Sequence, residues 1–95
     1  MRSWTQDESI AFECAREAIT DLRSIIMGEI YEENSKELPD TGRLAELNAE
    51  RSRLFRERAE LHVHDHAAVA RVRAEYGARV RAWRADYIAR QAAAM

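Results

Sequence analysis

Where this chain can turn decides what it can become, and it offers few such places. Three glycines and one proline punctuate its 95 residues, and Pro39 and Gly42 fall together in NSKELPDTG, residues 34–42. Pro39 disfavours helical geometry at Leu38, and Asp40 or Thr41 can cap a helix that follows. Elsewhere Ala, Arg, Glu and Leu dominate, all good helix formers. The chain is predicted to be helical almost throughout, with one certain loop.

Three segments carry a helical period. The first should start at Thr5, because TQDE is a capping box with Glu8 three residues after the threonine, and Asp7 also favours the helix dipole. From there Phe12, Ala15, Ile19, Leu22, Ile26 and Ile30 recur at steps of three and four, and Ala11, Cys14, Ala18 and Ile25 widen the stripe. A face that broad needs more than one neighbour. The second segment carries Leu44, Leu47, Leu54, Phe55 and Leu61, with Arg51 and Arg58 interrupting the stripe. Arginines there call for a carboxylate or an aromatic face to meet them. The third carries Val69, Val72, Tyr76, Val80, Trp83 and Tyr87, backed by Ala67, Ala70, Ala74, Ala78, Ala85 and Ala89.

Residues 61–69, LHVHDHAAV, decide between two architectures. If the helix runs through them, helices 2 and 3 fuse into one rod of about fifty residues, ~75 Å long, most of which overhangs helix 1. That is a dimerising helical hairpin. If it breaks, with Asp65 capping the third segment, three helices of similar length close on themselves. His, Val and Asp are mediocre helix formers, and short connections between helices are ordinary. The expected fold is therefore all-α, an antiparallel three-helix bundle in a single domain over residues 1–95, with helices near 5–33, 41–62 and 66–92. Its core should hold Phe12, Ile19, Leu22, Ile26, Leu47, Leu54, Leu61, Val72, Tyr76, Val80 and Trp83.

Chemistry is thin. His62, His64 and His66 resemble a metal site, with Asp65 or Glu60 as a further ligand. Zinc motifs, however, draw ligands from two separated segments, and no second Cys or His cluster exists. The expectation is a solvated corner, with no metal and no cofactor. Cys14 lies on the apolar face of helix 1, which suggests a buried, inert thiol. Glu32 and Glu33 stand among polar residues at a helix end, which usually means solvent. No Gly-rich phosphate loop or catalytic order is present, so no enzyme is expected.

Charge is split along the chain. Residues 5–33 carry Asp7, Glu8, Glu13, Glu17, Asp21, Glu29, Glu32 and Glu33 against Arg16 and Arg23, a balance of −6. Residues 67–95 carry Arg71, Arg73, Arg79, Arg81, Arg84 and Arg90 against Glu75 and Asp86, a balance of +4. The two thirds are either each other's partners or two outward surfaces. On a helix the six arginines scatter around the aromatic stripe, where their stems can cover a packing face, so nucleic-acid binding is not favoured.

What remains is interaction: a small helical module, inhibitor or antitoxin-like, whose acidic surface at Glu13, Glu17 and Asp21 occludes a basic, nucleic-acid-binding protein. DNA binding or a purely structural, oligomerising role is the alternative. The alanine ridge of Ala67, Ala74, Ala78 and Ala85 is the expected homodimer interface. No apolar run is long enough for a bilayer, no signal-like segment opens the chain, and Cys14 has no cysteine to pair with. These features suggest the cytoplasm.

Overall fold

The computed structural model describes residues 5–94, so residues 1–4 and 95 of the expected domain lie outside the described residues. Three helices account for nearly all of it: α1 (Gln6–Asn34), α2 (Thr41–Glu60) and α3 (His66–Ala94). No strand occurs among the described residues. No helix is long and apolar enough to cross a membrane.

Each boundary has a local cause. Thr5 caps α1 as its capping box implies: its side chain accepts the Glu8 N–H at 3.1 Å, and Glu8 accepts the Thr5 N–H at 2.8 Å. Asp40 caps α2 by accepting the Arg43 N–H at 3.0 Å. At the corner, Leu61 turns extended (φ −66°, ψ 131°) and ends α2. Asp65 then accepts the Ala68 N–H at 3.1 Å and starts α3. The fused rod is thereby excluded, and the three-helix bundle is the fold.

The helices run up, down and up. α3 starts beside the start of α1, where His66 meets Glu8, and stays parallel to it as far as the Arg84–Asp21 pair and beyond. α2 returns antiparallel, with Arg43 near Glu29 and Glu33 at one end and Phe55 under Arg23 further along. α1 is the central element and packs against both others. α2 and α3 keep their backbones more than 8 Å apart. They meet through side chains: Arg53 donates to the Tyr76 hydroxyl at 3.1 Å, and Arg79 reaches Glu50 at 3.1 Å.

The core is the predicted stripe with corrections. Ile19, Leu22, Ile26, Leu47, Leu54, Val72, Tyr76 and Val80 are buried, joined by Ala15, Val69 and Val63. Phe12 and Leu61 are half-buried at its edge. Trp83 is not core: it is 36% exposed, because the partner of that stretch of α3 is missing. Phe55 is exposed too, its ring lying beneath the Arg23 guanidinium at 5.2 Å. Arg51, which was expected to need such a partner, is half-buried beside this pair. Cys14 faces outward rather than inward, since Ala15 and not Cys14 takes the contact position.

Glu33 is the largest departure. Expected in solvent, it is buried (3% exposed), and its carboxylate ties down the loop. It accepts the Asp40 N–H at 2.9 Å and pairs with Lys36 at 3.0 Å and Arg43 at 3.5 Å. The Asp40 N–H first, then Lys36, hold its carboxyl below the usual carboxylate range. A buried carboxylate survives only when its oxygens are satisfied in this way.

Candidate functional site

Glu13, Glu17 and Asp21 are spaced four apart, so they form one stripe on α1. Glu13 and Glu17 are exposed and Asp21 half so. Glu13 meets Arg16 of its own helix at 3.4 Å. Asp21 is held by Arg84 of α3 at 3.2 Å, so this acid is already partly neutralised within the chain. Glu17 has no ion pair among the described residues.

Steps of three and four carry the same stripe onward through Ser24, Gly28 and Glu32. Those three residues, with Asp21, Ile25 and Glu29, form one wall of an open cleft of about 610 Å³. The other wall is the distal part of α3: Trp83, Arg84, Tyr87, Arg90 and Gln91. The Trp83 and Tyr87 rings lie 5.2 Å apart and are 36% and 40% exposed. They continue the stripe that is buried at residues 69, 72, 76 and 80. The cleft exists because α1 offers small or polar residues there. A methyl group added at Gly28 would meet nothing within 4 Å. Met27, Tyr31 and Ile88 are also exposed in the same terminal thirds of α1 and α3, so much of the chain's exposed large apolar surface gathers at one end of the bundle.

The arginines of α3 are mostly engaged. Arg79 and Arg84 cross to Glu50 and Asp21, while Arg71 and Arg90 pair within the helix with Glu75 and Asp86. The acidic and basic thirds are thus partly each other's partners, and no concentrated basic face results. Arg73 and Arg81 line a shallow hollow with Cys14, Ala18, Ala70, Ala74 and Gly77. The ridge of Ala67, Ala74, Ala78 and Ala85 is exposed, on the side of α3 away from its buried stripe.

The histidine corner is a tight turn, closed by the Asp65 N–H donating to the His62 carbonyl at 3.0 Å. His62 and His64 are exposed, with Val63 buried between them. His62 Nδ1 accepts the His64 N–H at 3.1 Å. Neither Asp65, whose Oδ1 caps α3, nor Glu60 joins the histidines; the carboxylate that does is Glu8, from the far end of the sequence. Glu8 Oε2 lies 2.5 Å from His66 Nε2 and 3.5 Å from His64 Nδ1. The Thr5 N–H, then His66, hold the Glu8 carboxyl down to about 2. Sequence reasoning singled out Glu8 as a cap and the histidines as a cluster, but nothing in the spacing joins them. Only the parallel course of α1 and α3 does. Gly28 was the one local signal for the cleft, an unpunctuated glycine inside a helical stripe.

Compared with protein-family models, curated proteins and solved structures, the chain matches none.

Proposed function

We propose that this chain is a non-catalytic protein-interaction module that docks a basic, amphipathic helical segment of a protein partner. The observation carrying this reading is the continuity of the acidic stripe, Glu13, Glu17 and Asp21, with a cleft whose far wall is exposed Trp83 and Tyr87. Clustered exposed apolar side chains with a charged border mark interaction sites. A helix laid along a groove buries apolar anchors at steps of three and four. Here the anchors would meet Trp83, Tyr87 and Ile25, and basic residues beside them would meet Glu17 and Glu32.

Such a surface suits an inhibitor or antitoxin-like protein that covers the basic face of a nucleic-acid-binding partner. The alternative, direct DNA binding by α3, draws less support because four of its six arginines already face carboxylates.

Charge reversal tests the reading. With Glu13, Glu17 and Asp21 changed to Lys, association with the basic partner should fall sharply, and wild-type association should weaken as salt rises. A captured partner unaffected by the reversal would refute the acidic stripe. Tight, salt-sensitive duplex binding, lost on replacing Arg73, Arg81 and Arg84, would favour the DNA reading.

A further inference from the structure

We propose that Glu8, His64 and His66 form a binding site for a zinc-class divalent metal ion, fastening the start of α1 to the corner between α2 and α3. One ligand atom from each residue lies within 4.8 Å of the other two: Glu8 Oε2, His64 Nδ1 and His66 Nε2. Around a tetrahedral ion with bonds of about 2.0–2.2 Å, ligand atoms stand roughly 3.3–3.6 Å apart. The His64–Glu8 separation of 3.5 Å already fits that spacing, and the His66–Glu8 contact of 2.5 Å opens by about an ångström to admit the ion.

The donor set has the chemistry zinc selects: two imidazoles and a carboxylate, with a fourth position open to water or a partner's side chain. His64 and His66 are exposed, so an ion can enter from solvent. Glu8 is the rigid member. Its second oxygen, Oε1, accepts the Thr5 N–H, an outer contact of the kind that orients a ligating carboxylate. The hollow that Glu8 and His66 border is floored by Ala11, Val63 and Val69, with Asp7 and Arg73 also lining it. The ligands come from two segments more than fifty residues apart in sequence, which is the property the histidine run lacked when considered by itself. Bound metal would therefore brace the tertiary fold rather than decorate a turn.

His62 provides an internal control. It sits 5.5 Å, ring to ring, from His64, but its Nδ1 is occupied by the His64 N–H, and it lies outside the ligand set. The experiment titrates the full chain with Zn²⁺ by calorimetry and follows the thermal midpoint, with Co²⁺ as a visible-absorption probe of coordination geometry. The expected result is saturable binding of one ion per chain, and a midpoint that rises by several degrees once zinc is about a hundredfold above Kd. Co²⁺ should show the intense absorption of a four-coordinate site. His64→Ala, His66→Ala and Glu8→Gln should each weaken binding at least tenfold. Gln is chosen at position 8 because it still accepts the Thr5 N–H and preserves the cap. His62→Ala should bind as the wild type does. Absence of saturable binding would overturn the site. So would binding that survives Glu8→Gln, or binding lost equally in His62→Ala, since surface histidines alone would then suffice.

Discussion

At the scale of single residues, two buried side chains carry opposite kinds of obligation. Leu54 is fully buried where α2 meets the core, so Leu54→Ala removes apolar contacts and leaves a cavity. Chemical denaturation should show a loss of ~2–5 kcal/mol. Glu33 is the polar counterpart, its carboxyl held low by the Asp40 N–H and by Lys36. A group whose pKa is lower folded than unfolded stabilises the fold fully above its ordinary, unfolded value. That contribution is lost as pH falls from there through the folded value. The denaturation midpoint should therefore drop on acidification in this window, and Glu33→Gln should flatten that limb while lowering stability at neutral pH. Leu54 was legible from its heptad neighbours Leu47 and Leu61. Glu33 was not, because its burial depends on a loop folding back over it. No periodicity records that event.

At the scale of elements, the pattern announced the helices and the caps but not where each packed face ends. Thr5, Asp40 and Asp65 all cap as their residue types imply, and the break at the histidine corner follows from poor helix formers around an inward-facing Val63. Trp83 was misplaced because a stripe on α3 states which way a side chain points, not whether anything stands opposite. The α1 wall of the cleft that Trp83 lines is Asp21, Ser24, Gly28, Glu29 and Glu32 with Ile25 the one large apolar residue, which is too little to close a core. α3 therefore has a packed first half and a loosely held second half. Hydrogen exchange should show stronger protection at residues 69–80 than at 83–92. Uniform protection along α3 would mean that the cleft is closed in solution.

At the scale of the whole molecule, the charge split observed in sequence is answered inside the fold by Arg84 with Asp21, while Arg43 of α2 takes up Glu29 and Glu33. Glu13, Glu17 and Glu32 are left facing outward, and with Asp21 they form the surface proposed to meet a partner. Self-association through Ala67, Ala74, Ala78 and Ala85 stands as a separate proposal on an exposed ridge. Light scattering at micromolar concentration should then give twice the 11.0 kDa of one chain, reduced by Ala78→Glu. The central claim, that the open end of the bundle is the docking surface, is tested most directly by filling it. Gly28→Leu places a side chain in the cleft where a Cβ meets no neighbour, so the fold and its helicity should be kept. Immobilised wild-type chain in native-host extract should retain a basic protein at low salt and release it at moderate salt. The Gly28→Leu chain, equally folded, should retain none of it. Equal capture of that protein by both chains would contradict the claim.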